Sequence, residues 1–384
     1  MRAVAICLLL ATGCATTSRN PVPAALTATA QVPGYENLKI RTQFSLTDPE
    51  WRHKLDAFVH GKAAGPDHVV TMLMISGGGE NGAYGAGVLC GWSESGERPE
   101  FDVVTGISTG GLIGPLAFLG REYDAALRKG YTEVKAQNIF DRLSLFAILH
   151  RHTSLTDTRP LARMIAAMLG DRELQAIARE HRRGRRLYIA TTDLDSQTLV
   201  VWDIGAIAAS GQPDSLELVH RVMLASAAIP VVFPPVLFPV EADGKRYEEL
   251  HVDGGAIAQM VGGLVVLAKQ SEPGSPAPAR MYLLRNGRLE PQYAPPKMRL
   301  GPLADRSMST TSMSQGYNDV LRAFVTARKA GAEFYLTSIP ASFTEESKAP
   351  FDRQYMQALF AVGYEFGRHN GPWQRTPPGV DQPE

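Results

Sequence analysis

The sequence predicts an α/β fold, and three observations predict it. Apolar runs of strand length, VVTMLMI from Val69 and FDVV from Phe101, each pass into a glycine-bearing turn and then into a segment of helical texture. This rhythm of strand, turn and helix recurs further along the chain. At 384 residues, 44% hydrophobic and 20% charged, the chain is also long and apolar enough to bury one sizeable core.

Taken in order, the first residues read MRAVAICLLLATGCATTS: a minimal positive charge at Arg2, a short apolar run over 3–10, then Ala11-Thr12-Gly13-Cys14. The run is too short to span a bilayer as a mature helix. Small residues before a cysteine resemble the bacterial lipobox. The expectation is therefore a lipoprotein signal over 1–13, cut so that Cys14 becomes an acylated, palmitate-bearing N-terminus. A plain secretory signal is the alternative, and both imply export. Ala15, not being an aspartate, favours the outer membrane, facing the periplasm, under the lipoprotein sorting rule of many Gram-negative bacteria.

Residues 15 to about 35 are rich in Ala, Thr and Pro without a sustained period, as expected of a flexible tether, so 14–66 are read as anchor, tether and lead-in. From Val69 the elements follow one another. VVTMLMI and FDVV are strands, 77–87 is glycine-dense, and 111–119 continues as an apolar helix. LARMIAAML (161–169) has helical spacing, LYIATTDL (187–194) and LVVWDI (199–204) form a hairpin about DSQT, and ELHV leads into Asp253. SEPGSPAPAR (271–280) has the composition of a boundary, yet MYLLRN after it reads as another strand of the same sheet. Apolar residues at helical spacing in 315–329 and 351–368, among them Val320, Phe324, Met356 and Phe360, make the tail folded and packed on that sheet. One domain over 67–374 with a flexible tail at 375–384 is the simpler account.

Lys+Arg and Asp+Glu both number 39, so bulk charge gives no reason to expect nucleic acid as a partner. Of three cysteines, Cys7 lies in the leader and Cys14 at the cleavage site, so Cys90 stands alone and the mature chain forms no internal disulfide. Within GAGVLCGW it reads as a small buried hydrophobe.

Two glycine motifs carry the chemistry. Gly77-Gly78-Gly79-Glu80-Asn81-Gly82 formally fits a dinucleotide fingerprint, but Asp102, the candidate ribose ligand, stands at the start of its strand rather than the end. No GK[ST] follows, so a P-loop is excluded. Consecutive glycines also let backbone amides converge on a developing oxyanion. Gly106-Ile107-Ser108-Thr109-Gly110 fits G-x-S-x-G on a strand-to-helix junction, where a sharp turn exposes a serine hydroxyl beside a helix N-terminus. The matching base is Asp253, at the C-terminal end of its strand in HVDGG with Gly254 and Gly255. To act on a hydroxyl it must touch Ser108 in a dry site, with burial raising its pKa.

SGGGENGAYGAGVL, GISTG, ASAAIPVVFPPV (225–236) and VDGG occur in the order and approximate spacing of patatin-like phospholipases, which residues 69–256 resemble, as does the closing helix FDRQYMQALFAVGYEFGR. The resemblance implies a three-layer α/β/α fold with a mostly parallel central sheet. It also implies lipid acyl hydrolysis through a Ser108–Asp253 dyad and an acyl-enzyme. Gly77, Gly78 and Gly79 would supply the oxyanion hole, Gly82, Gly106, Gly110, Gly254 and Gly255 would be motif glycines, and 225–236 would line the acyl pocket. Membrane lipids or lipid esters are the implied substrates, and no cofactor or metal is required. The chain departs from the family at Asn81, where Arg or Lys is common, and this weakens the expectation of an anionic phosphate.

Two other readings bear on the same residues, and a few further residues are weighed beside them. Ser108, Asp253 and His369 have the chain order of a Ser-His-Asp esterase, although His369, at a helix end, reads more simply as a capping cation. A catalytically inactive lipid-binding or scaffold lipoprotein would explain Asn81 but not the intact serine, aspartate and glycines. REHRRGRR (179–186) could touch anionic head groups and is read as a solvated turn, Asp193 and Asp195 as hairpin-turn residues rather than a cation site, and His251 as a pocket or surface residue of no assigned role.

Overall fold

A computed structural model describes residues 19–44, 68–139, 141–142, 154, 156–261 and 279–381. The leader, Cys14 and most of SEPGSPAPAR lie outside the described residues.

The chain enters along the body through β1 (Arg41–Phe44), then β2 (Val70–Ile75) delivers the glycine loop to α1 (Gly82–Glu94). β3 (Val103–Ile107) follows, with α2 (Thr109–Leu119), α3 (Asp124–Thr132) and the single turn α4 (Ala136–Ile139). The short pair β4 (Asp141–Arg142) and β5 (Thr156–Asp157) precedes α5 (Arg159–Met168) and α6 (Asp171–Arg182). The hairpin β6 (Arg186–Asp193) and β7 (Thr198–Asp203) turns at the expected DSQT and leads to α7 (Ile204–Ala209) and α8 (Ser215–Ser226). β8 (Val236–Ala242) and β9 (Lys245–Asp253) form a second hairpin. β10 (Ala279–Arg285), the long α9 (Leu300–Lys329), β11 (Glu333–Ser338) and α10 (Arg353–Arg368) complete the described chain.

The described strands build a nine-stranded sheet in the order β1-β7-β6-β3-β2-β10-β11, with the β8–β9 hairpin joined to β6. Its centre, β6-β3-β2-β10-β11, is parallel throughout. This explains why VTMLMI reads as a continuous apolar run: all six residues of β2 are buried, because a central parallel strand has helices on both faces. Antiparallel strands enter only at the flank. One face carries a core with Trp92 of α1, Ile113 of α2, Val219 of α8 and Leu359 of α10. The other is covered by α9 through Val320, Ala323 and Phe324. The architecture is therefore three layers, α/β/α. Among the described residues no helix is long and apolar enough to cross a membrane.

The expected tether is corrected from Arg19 onward. Val22, Val32, Tyr35 and Ile40 are buried in the main core, the Tyr35 hydroxyl donates to Asp214 at 2.9 Å, and β1 pairs with β7. Each apolar residue fills a separate site on the body, so their spacing has no helical or strand period and the composition alone reads as linker.

Candidate active site

The parallel strands end together, and the chain turns sharply there. Ser108 follows β3 directly, with φ 55° and ψ −125°, a region sparsely populated for a residue with a Cβ and commonly retained where the surroundings enforce it. Three contacts enforce it here. The Ser108 amide donates to Ser226 Oγ at 3.0 Å, and that hydroxyl in turn donates to the Ala190 carbonyl at 2.8 Å. Gly106 and Gly110 bring strand and helix into backbone contact, since a Cβ on Gly106 would lie 2.2 Å from the Gly110 carbonyl oxygen. The glycines of GISTG are thus what lets α2 start so close to β3.

β6 acts as the ruler that brings the partner in. On one side of it Ile107 pairs with Ala190 and, at the next register position, Asp253 pairs with Thr191. β3 arrives parallel and ends; β9 arrives antiparallel and ends. Ile107 and Asp253 therefore meet carboxyl end to carboxyl end, one strand step of about 3.3 Å apart along β6, and Ser108 turns off at that junction. Asp253 is on the carboxyl edge of the sheet as expected, but for a different reason: its own strand runs against the parallel set.

Both residues are buried, Ser108 at 6% and Asp253 at 4% exposure. Burial pushes the Asp253 carboxyl up to about 6, opposed by a hydrogen bond from the Ser108 side chain and by the Gly255 amide, which donates at 2.7 Å. No cation is among the influences on it. A carboxylate in this state retains proton affinity, which an exposed aspartate lacks.

The glycine loop sits against the same pair. Gly77 backs onto Ser108, where an added Cβ would come 3.2 Å from the serine Cβ. Its amide is committed to the Gln259 carbonyl at 3.2 Å, so the expectation that all three glycines offer free amides is corrected. Gly78 and Gly79 have amides with no hydrogen-bond acceptor among the described residues. Gly78, at φ 157°, lies so close to Asn286 that a Cβ would fall 2.0 Å from its carbonyl oxygen. Gly82 begins α1, while Gly254 and Gly255 form the turn after Asp253. Asn81 accepts a hydrogen bond from the Tyr355 hydroxyl at 2.7 Å, which ties the loop to α10.

Beneath the loop lies a residue that motif reading missed. Arg285, the last residue of β10, is 2% exposed and donates to Ser76 Oγ at 3.1 Å, the Gly77 carbonyl at 3.2 Å and Gln259 Oε1 at 3.1 Å. Gln259 Nε2 donates to the Gly255 carbonyl at 3.2 Å, so one guanidinium braces both the glycine loop and the turn after Asp253. Burial lowers its pKa to about 10, with Asp319 opposing, and the group stays charged at neutral pH. Its signal was an arginine closing the apolar strand MYLLRN. Ser226 lay in plain view within ASAAIP, with nothing local to mark it as the support of Ser108.

Ser108 opens on an apolar cavity of about 50 Å³ whose walls include Thr109, Leu112, Tyr131, Ile229, Phe233 and Met356. Ile229 and Phe233 belong to the 225–236 segment expected there. Gly130, Val134, Met164 and Met168 line both this cavity and a neighbouring one of about 500 Å³, which Lys129 and Arg163 also line.

The remaining candidates fall elsewhere. His369 is 68% exposed, at the end of α10, and pairs with Glu365 on its own helix at 3.3 Å, so the triad order in the chain is not a triad in space. His251, expected in a pocket or at the surface, is fully buried: its ring nitrogens lie 2.8 Å from Thr191 Oγ1 and 3.1 Å from Glu249 Oε2, and Glu249 is also paired with Arg41. The 179–186 run is solvated only in part. Arg185 is inserted against the Phe101 and Phe118 carbonyls at 2.8 and 2.6 Å. Asp193 accepts from the Asp195 amide at 3.0 Å, an ordinary turn. Cys90 is buried, and burial pushes its thiol up to about 12.

A three-layer fold with a strained serine and a buried aspartate at the carboxyl edge of its parallel strands defines an α/β protein of the serine-elbow class. Residues 73–261 form a domain that matches the patatin-like phospholipase family. Among solved structures it is similar to VipD from Legionella pneumophila, with 12% identity, a TM-score of 0.38, and coverage of 79% of this chain and 67% of that one. It is also similar to the type III effector protein ExoU, with 14% identity and a TM-score of 0.22; there the coverage is 79% of this chain and 53% of that one. No curated protein matches the sequence.

Proposed function

We propose that the protein is a serine lipid acyl hydrolase of the phospholipase A or lysophospholipase kind, working through a Ser108–Asp253 dyad. The observation that carries this reading is the meeting of the strained Ser108 turn with a buried carboxyl at successive register positions of β6. Ser108 Oγ attacks the ester carbonyl while Asp253 takes its proton, and the developing oxyanion is received by the unengaged Gly78 and Gly79 amides. The carbon–oxygen bond to the leaving alcohol breaks, and the alcohol takes the proton from Asp253. Asp253 then takes a proton from water, the hydroxide attacks the acyl-serine, and fatty acid leaves as Ser108 recovers its proton. The acyl group occupies the apolar cavity at Ser108.

Labelling of the protein with a fluorophosphonate, followed by mass spectrometry of the modified peptide, tests the reading. Adduct is expected on Ser108, lost in Ser108→Ala and retained in His369→Ala. A folded protein without adduct overturns the hydrolase, and loss of adduct in His369→Ala overturns the dyad. Anchoring through Cys14 in the outer membrane belongs to the same proposal, supported by the lipobox-like leader and by Ala15. Incorporation of labelled palmitate that persists in Cys14→Ser would refute the anchor.

A further inference from the structure

α9 is much longer than the sheet it covers. Its 30 residues span about 45 Å, whereas the seven of β10 span about 23 Å. The point where it leaves the sheet is marked by Arg285, which ends β10 and donates to the Ser312 carbonyl at 3.0 Å. Residues 300–311 therefore run about 18 Å beyond the carboxyl edge of the sheet. This is the edge that holds Ser108 and Asp253, and the helix passes them closely, since Gln315 Oε1 accepts from Gln259 Nε2 at 3.3 Å.

The projecting turns are composed unlike a solvated helix. At the tip, Leu300 is 87% and Met298 86% exposed, with Tyr293 at 93% in the lead-in and Leu303 and Met308 exposed along the helix. Lys297, Arg299 and Arg306 are interspersed among them, against the single carboxylate of Asp305 between 293 and 308. Arg306 also donates to the Gln292 carbonyl, which ties the lead-in to the helix. Large exposed apolar side chains flanked by cations on a protruding tip combine the two attractions that an anionic bilayer offers: burial of apolar side chains at the acyl boundary and charge against the head groups. A second copy of this chain would supply the first attraction, but with a formal net charge of +0 it offers no general field for the cations.

We infer that the tip of α9 with its lead-in, residues 293–308, docks the protein on the surface of an anionic lipid bilayer. The docked arm holds the edge bearing Ser108 toward the membrane, so that lipid esters are drawn from the bilayer rather than from solution. This rests on the hydrolase reading only for its consequence in turnover; the docking itself is a binding event.

The test uses the full chain carrying Cys14→Ser, so that no acyl anchor contributes, with vesicles of phosphatidylcholine alone or with 30 mol% phosphatidylglycerol. Co-sedimentation is expected with the anionic vesicles and to weaken on raising salt. Met298→Asp with Leu300→Asp should lower the bound fraction at least tenfold, and Lys297→Gln with Arg299→Gln should weaken binding about fivefold per cation removed. Turnover of bilayer phospholipid should fall in parallel, while a short monomeric ester is hydrolysed as before. Equal vesicle binding with and without the tip substitutions overturns the inference, as does a change from oligomer to monomer on Leu300→Asp in light scattering, which would assign the tip to a second copy. Absence of turnover on every ester, with vesicle binding intact, would sink the hydrolase reading and leave docking standing.

Discussion

Replacing Asp253 by Asn should abolish turnover and at the same time stabilise the protein. The carboxyl is raised from 3.8 to about 6 by burial. Because the folded pKa lies above the unfolded one, the folded state favours the protonated acid. The stability this contributes is complete below pH 3.8 and is lost as pH rises through 6. At about 1.4 kcal/mol per pKa unit, the ionised carboxylate costs the folded state about 3 kcal/mol at pH 8. Asn keeps an oxygen to accept from the Gly255 amide and places an amide beside Ser108, so the substitution removes the charge without emptying the site. Urea unfolding of wild type and Asp253→Asn at pH 8 and pH 4 measures the difference. The variant should be more stable by about 3 kcal/mol at pH 8, equivalent to about 4 °C in Tm for a chain this long, and the gap should close toward pH 4. Ester hydrolysis by the wild type should fall with acidification through pH 6 as the base is protonated. A variant no more stable than wild type at pH 8 would refute the uncompensated buried charge, and residual wild-type turnover in it would refute the base.

Two further outcomes follow from the surroundings of the site. Arg285→Met removes the donor to Gln259 Oε1 and one of the two donors to the Gly77 carbonyl, which keeps only Ser76 Oγ, and should lower kcat between tenfold and a hundredfold with KM changed by less than about twofold. Arg285→Lys should recover part of the loss, and a proportional rise in KM would instead mark Arg285 as a substrate contact. Met164→Ala should join the 50 Å³ cavity at Ser108 to the 500 Å³ cavity beside it, and raise kcat/KM for dodecanoyl relative to butanoyl p-nitrophenyl ester about tenfold, at about 0.8 kcal/mol per methylene newly accommodated. An unchanged chain-length profile, with Ser108 still labelled by fluorophosphonate, would show that Met164 does not bound the acyl site.

The parts of the fold that repeat a local rule were legible in the sequence. VVTMLMI and MYLLRN declare central strands because both faces of a parallel sheet are covered, and GISTG declares its turn because only glycine tolerates the approach of α2 to β3. Asp253 was legible as a residue of the ligand edge, although the direction of β9 was not, since a strand's sequence does not state whether its neighbour runs with or against it. The support for the site was illegible for a related reason. Ser226 and Ser108 lie 118 residues apart, and Arg285 lies 208 from Gly77. These contacts are created by the sheet order, and no local pattern encodes them. The N-terminal segment failed differently: Tyr35 and Ile40 are anchored one by one, and composition averages such residues away.

The edge of the sheet gathers features that each oppose folding: a serine in a sparsely allowed backbone conformation, a carboxyl and a guanidinium out of water, and two amides without acceptors among the described residues. Strain or burial of this kind costs about 1–3 kcal/mol per group. Relief by local relaxation is blocked because every feature is fixed by backbone it does not control. Ser108 is held by the β3–α2 contact and by Ser226, Asp253 by the register of β9 on β6, and Arg285 by β10 between β2 and β11. An energetic conflict distributed over four strands cannot be resolved by moving any one of them without unpairing the sheet. Rigidity of the parallel centre is therefore what allows a reactive arrangement at its rim. By the same logic the element that extends past the rim, the amino-terminal half of α9, is free of those constraints and open to a surface outside the protein.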